Sequence, residues 1–241
     1  LKYVGLNPVI VHGSGPETRD RASSYYGRLL DPRYAIFAFD KRGVGASEGN
    51  CCPLDFDLLA DDIVAAVDAV REHDEVDDDA VGLMGLSQGG WIAPLAADRS
   101  DAVSFAVILS GPAVSIGEEA EYSQLTGDDA CVRSPNSPEQ ISKRMREEEP
   151  SGFDPRPILA RLEIPILWLY GALDKSQPVE KDLTVLEPLK GDGKDFTIVV
   201  FPKANHRLQV TKTGSCIEGT GGELVEGVAE TINRWLEEHA A

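Results

Sequence analysis

The chain has 241 residues, enough for one α/β domain with a sizeable core, and it requires no second domain. Hydrophobic residues at 42% and charged residues at 27% suit a soluble globular protein, whereas the formal net charge of −18 argues against nucleic acid and anionic membrane surfaces as partners. No stretch approaches the roughly 20 apolar residues of a membrane span.

In chain order, strands and helices alternate. Pro8 to His12 reads as a short apolar strand running into Gly13-Ser14-Gly15-Pro16, and Arg19 to Leu30 as a helix stopping before Asp31-Pro32. Tyr34 to Phe39 reads as a buried strand ended by Asp40-Lys41-Arg42-Gly43-Val44-Gly45. From Phe56 to Glu72, apolar residues at Leu59, Ile63, Ala66, Val67 and Val70 keep helical spacing. The acidic run Asp74 to Asp79 is expected to be a solvated turn, since it lacks the spacing of a calcium loop. Val81 to Met84 is a strand, Trp91 to Ala97 a helix, and Val103 to Leu109 another strand.

Residues 111–157 break the rhythm, with short helices expected near Glu118–Leu125 and Pro138–Glu148. This stretch reads as a lid inserted over the strand ends of a single domain spanning 1–241. Alternation then returns with a strand at Pro165 to Tyr170, a helix at Val179 to Leu189, a strand at Phe196 to Phe201 and a closing helix from about Glu223 to Glu238. Near-continuous apolar strands separated by helices imply a mostly parallel sheet covered on both faces.

Four cysteines, Cys51, Cys52, Cys131 and Cys216, have no metal-ligand spacing, so no metal site is expected. All lie in predicted loops, which favours disulfides and an oxidising, extracytoplasmic compartment over free thiols, with the connectivity left open. The chain begins at Leu1 rather than Met, which leaves room for a leader or an upstream region.

The chemistry gathers at the carboxyl ends of the strands. Gly85-Leu86-Ser87-Gln88-Gly89, between a strand and a helix, fits the Gly-x-Ser-x-Gly elbow, in which a strained turn lifts a serine hydroxyl above the sheet. A later strand ends Tyr170-Gly171-Ala172-Leu173-Asp174, and the last one ends Phe201-Pro202-Lys203-Ala204-Asn205-His206. Serine is a weak nucleophile, so His206 is needed to take its proton, and Asp174 to orient and stabilise the imidazole; Asp195 and Glu180 are weaker substitutes. The N–H groups of Ser14 and Gln88 are candidates for an oxyanion hole. His12 reads as a brace for that loop, and His73 and His239 lie at a helix end and the chain terminus. The glycine-rich segments fit neither a dinucleotide nor a Walker motif.

Four stretches together resemble the α/β-hydrolase family, particularly bacterial-type esterases and dienelactone-hydrolase-like or S9/S33-peptidase-like members: residues 12–20, Asp40-Lys41-Arg42-Gly43-Val44-Gly45-Ala46-Ser47, residues 85–91, and the Asp174 and His206 loops. The resemblance implies a serine hydrolase needing no cofactor, with Ser87, Asp174 and His206 as triad and Ser14 and Gln88 as oxyanion donors. Such proteins normally open with two further strands, for which Leu1 to Asn7 leave no length. An unpaired side on the 34–39 strand is therefore expected, inviting homodimer contacts or marking a trimmed chain.

The expected function is a carboxylesterase acting on small uncharged esters through an acyl-enzyme, with Trp91 and Tyr122 shaping an acyl pocket. A peptidase or acyltransferase using the same three residues is the alternative, and a binding protein with an inactive site is a remote third.

Overall fold

Strands whose side chains point alternately to two faces must be covered on both, and this chain has helices for each. The computed structural model describes residues 7–74, 76, 80–218 and 222–239. Five strands, β1 (Asn7–Val11), β2 (Val81–Leu86), β3 (Ala106–Leu109), β4 (Ile166–Gly171) and β5 (Phe196–Phe201), form one sheet in that order, every pair parallel. Around it lie α1 (Arg19–Tyr26), α2 (Phe56–Arg71), α3 (Gly89–Arg99), α4 (Ile116–Thr126), α5 (Pro138–Glu147), α6 (Arg156–Arg161), α7 (Val179–Gly191) and α8 (Val228–His239).

Val9, Val11, Leu83, Ile108, Trp168 and Tyr170 pack to one side with apolar residues of α2, α3, α6 and α7. Their strand neighbours Ile10, Met84, Val107, Leu109, Leu167 and Leu169 pack to the other, with α1 and α8. Helix α2 begins where the Asp55 side chain accepts from Leu58 N–H at 3.0 Å, and it buries Leu59, Ile63, Val67 and Val70. Burying such side chains fully is worth about 1.5–3 kcal/mol each, which makes this face the reason the helix forms.

The 34–39 segment departs from its expectation as a buried strand. It meets the sheet through Phe37, whose N–H donates to Pro8 O at 3.1 Å and whose carbonyl accepts from Ile10 N–H at 2.9 Å. Among the described residues no strand lies on its far side, and Ala35 to Phe39 stay half-buried. The pairing is a single bridge between Val9 and Phe37, so no ladder extends along the segment to make it a regular strand. A cavity of about 390 Å³, lined in part by Pro8, Tyr34, Phe37, Val70 and His73, opens beside it at the amino ends of the strands.

Smaller differences have local causes. Helix α1 stops at Tyr26, where the bonding tightens to three-residue turns, Arg28 N–H to Tyr25 O at 3.2 Å and Leu29 N–H to Tyr26 O at 2.9 Å, and α8 starts at Val228, after the extended segment around Leu224. Part of the acidic 74–79 run lies outside the described residues. The cysteines pair as Cys51–Cys52 and Cys131–Cys216, the second tying the segment after α4 to the loop beyond β5. Among the described residues no helix is long and apolar enough to cross a membrane.

Candidate active site

The turn from β2 into α3 is built by close approach. A Cβ on Gly85 would sit 3.0 Å from Gly89 O, and one on Gly89 would sit 2.9 Å from Val11 O, so side chains at either position would push the helix off the sheet. Ser87 between them takes φ +56°, the left-handed region that strains any residue with a Cβ. Its N–H donates to Leu109 O at 3.0 Å, and its carbonyl accepts from Gly90 N–H at 2.7 Å, which hold the strained turn in place.

The loop after β1 lies directly against this turn. A Cβ on Gly13 would be 3.8 Å from Ser87 Cβ and 3.3 Å from Leu86 O. His12 is 3% exposed and its Nε2–H donates to Phe39 O at 2.8 Å, so it braces the loop as expected. Burial, the first influence on it, lowers its pKa and favours the neutral ring. Gln88, 6% exposed, opens α3, where unpaired backbone N–H groups and the helix dipole favour negative charge.

The carboxylate and the imidazole meet because the loops after β4 and β5 are laced together. Ala172 N–H donates to Phe201 O at 2.9 Å and Leu173 N–H to Ala204 O at 3.0 Å. A Cβ on Gly171 would meet Ala204 O and Asn205 O at 2.5 Å, so the backbones touch there. Asp174 is 2% exposed. Its Oδ1 accepts from Ser176 N–H at 2.8 Å and Gln177 N–H at 3.0 Å, leaving Oδ2 to accept from His206 Nδ1–H at 2.8 Å. This pairing fixes the tautomer that leaves Nε2 unprotonated and able to take a proton. Burial lowers the His206 pKa, but the Asp174 carboxylate, with Asp128 and Glu119 behind it, more than offsets this and the net shift is upward.

The inserted segment is fastened over these loops. Tyr122 Oη–H donates to Asp174 O at 3.0 Å and Thr126 Oγ1–H to Lys175 O at 2.5 Å. Tyr122, expected in the acyl pocket, thus anchors α4 to the carboxylate loop. The expectation for Trp91 is corrected: it is 5% exposed, lies edge-on to Phe56, and donates Nε1–H to Val114 O at 2.8 Å. It sits one turn into α3 on the side facing α2, so it packs in the core instead of facing a substrate.

Two residues at the site had no role in the sequence reading. Lys41 is 3% exposed, and its Nζ donates to Gly13 O at 2.7 Å and Gln88 Oε1 at 3.1 Å. Glu119, on α4, is pushed up to about 7, first by burial and then by Asp174 and Asp128, with His206 acting the other way. Among the described residues no group of three or more His, Cys, Asp and Glu side chains is arranged to hold a metal ion.

A family model described as serine aminopeptidase, S33, matches residues 8–134, just over half of the chain. The uncharacterized peptidase YuxL of Bacillus subtilis is 26% identical over 195 residues, covering 79% of this chain and 27% of its own length. A Methylorubrum extorquens protein provisionally named carboxymethylenebutenolidase is 28% identical over 145 residues, 60% of this chain and 40% of its own. The matched region therefore spans less than half the length of these relatives. The Pyrococcus furiosus esterase Pf2001 superimposes with a TM-score of 0.61 at 16% identity, over 98% of this chain and 80% of that one, a likeness of fold.

Proposed function

The chain belongs to the serine aminopeptidase S33 family of α/β hydrolases, and on that footing we propose that it is a carboxylesterase cleaving small uncharged esters through an acyl-enzyme. The observation that carries the reading is the His206–Asp174 pair, with Nδ1 bonded to the carboxylate, on loops of the same sheet rim that carries the strained Ser87. Ser87 Oγ attacks the ester carbonyl carbon while its proton passes to His206 Nε2. The negative oxygen of the tetrahedral intermediate lies against the N–H groups of Ser14 and Gln88. Collapse breaks the bond to the leaving alkoxide, which takes the proton from His206. Water then attacks the acyl-Ser87 ester by the same route, releasing the acid and restoring the serine.

Uncharged substrates suit the surroundings. The chain carries a net charge of −18, and Glu119 and Asp128 act on His206 from nearby, so an anionic acyl group would approach against repulsion. The peptidase relative and the family's description favour a second reading, amide cleavage by the same residues. A chain-length series of p-nitrophenyl esters set beside aminoacyl-arylamides separates the two. Under the ester reading, kcat/KM on acetyl or butyryl esters exceeds that on every arylamide by at least about a hundredfold, roughly 2.7 kcal/mol in transition-state binding. Arylamide turnover equal to or above that of the esters would replace carboxylesterase with peptidase.

A further inference from the structure

Lys41 is a buried cation to which the mechanism gives no task. It follows the 34–39 segment, and its backbone N–H donates to Glu17 O at 3.0 Å, which fixes where the side chain starts. From there the chain runs inward between the two segments that carry the oxyanion donors. Nζ donates to the carbonyl of Gly13 and to the side-chain amide oxygen of Gln88. A lysine ammonium has donors and no acceptor, so both contacts have one polarity.

The first contact has a specific chemical consequence. Gly13 C=O and Ser14 N–H are the two ends of a single peptide unit, and that unit is planar and trans, with no cis bond among the described residues. Holding the oxygen on Lys41 therefore turns the N–H to the opposite side. The Gly13 backbone itself abuts the Ser87 turn. A hydrogen bond to a carbonyl also polarises the amide and makes its N–H a stronger donor, the more so when the partner is a cation. The second contact ties the Gln88 side chain to the same nitrogen, so the spacing of the two donor-bearing segments is set by one group.

We propose that Lys41 is a positioning residue for the oxyanion hole, orienting and polarising the Gly13–Ser14 peptide and clamping it to Gln88. The inference rests on the serine hydrolase reading above. Most of the effect belongs to the transition state, where the carbonyl oxygen becomes an anion, and little to the ground-state ester. Burial lowers the Lys41 pKa and Glu17 acts to raise it, but even a neutral amine retains the two N–H groups that the contacts use.

The test compares wild type with Lys41→Met, Lys41→Gln and Lys41→Arg on a p-nitrophenyl ester, with rates expressed per serine titrated by a fluorophosphonate. Lys41→Met is expected to lose kcat on the order of 10- to 100-fold with KM within about threefold, less than deleting a donor outright. A trifluoromethyl ketone, whose hemiketal oxygen occupies the oxyanion position, is expected to lose affinity in parallel with kcat/KM. Lys41→Gln falls between, and Lys41→Arg restores turnover to within about fivefold of wild type. Folded Met and Gln variants with kcat/KM within twofold of wild type overturn the inference. So does failure of both to fold while Lys41→Arg folds, because the lysine is then structural. Ser87→Ala, run alongside, keeps the two claims apart: if it turns over at the wild-type rate, the hydrolase reading fails whatever Lys41 does.

Discussion

His206 sets the pH range in which the site works. Its pKa stands above the ordinary 6.5, because Asp174, Asp128 and Glu119 together outweigh the effect of burial. Only neutral imidazole accepts the serine proton, so kcat/KM on a neutral ester is expected to climb as pH rises through a value above 6.5. Replacing Glu119 with Gln removes a carboxylate that favours the imidazolium, and the acid limb is expected to move to lower pH. Paired pH–rate profiles of wild type and Glu119→Gln check this; superimposed limbs would show that Glu119 does not act on the imidazole. Ser87, Asp174 and His206 are legible in sequence because each lies within a few residues of the end of an apolar run. Lys41 is not, since nothing in Asp-Lys-Arg-Gly says which of two adjacent cations turns inward: Lys41 does, and Arg42 turns to Asp62. Glu119 is hidden for a similar reason, sitting beside Glu118 with the same chemistry and a different helical phase.

The inserted segment is held by polar contacts as much as by packing. Glu118 is fully buried. It completes a capping box with Ser115 and meets Arg156 at 2.7 Å and Lys181 at 2.9 Å, which joins the start of α4 to α6 and α7. Burial alone would raise its pKa, but Ser115, Arg156 and Lys181 together hold the carboxyl below its ordinary 4.5. Glu118→Gln leaves two cations short of a partner and is expected to destabilise the fold by about 2–3 kcal/mol at neutral pH, read as a lowered urea midpoint at unchanged slope. Because the folded pKa is depressed, this stabilisation is complete above the unfolded value and fades as pH falls through the folded one, so the difference between the two proteins narrows in acid. A midpoint within experimental error of wild type at pH 7 would show that the network holds nothing together. At this scale the sequence is readable where periodicity is long, as in α2, and less so at the start of α4, which begins at Ile116 behind the Ser115 cap, two residues before the expected Glu118. It misleads at 34–39, where apolar composition matches a buried strand but the segment meets β1 at a single bridge through Phe37, and over α6, six residues too short to show a period.

The molecule as a whole exists to bring distant loops to one rim. Parallel pairing sets the carboxyl ends of β1, β2, β4 and β5 on one rim, with β3 between β2 and β4, and backbone contacts then lock the β4 and β5 loops together. The Cys131–Cys216 link adds a covalent tie between the segment after α4 and the loop that follows His206. The net charge of −18 steers against anions. The most direct measurement is fluorophosphonate labelling of the intact protein with peptide mapping, run beside ester hydrolysis by wild type and Ser87→Ala. The account expects a single adduct, on Ser87, none on the variant, and a loss of turnover on the order of 10³-fold or more in a variant that melts like wild type. An adduct on another residue, or a Ser87→Ala protein that hydrolyses the ester at the wild-type rate, would contradict it.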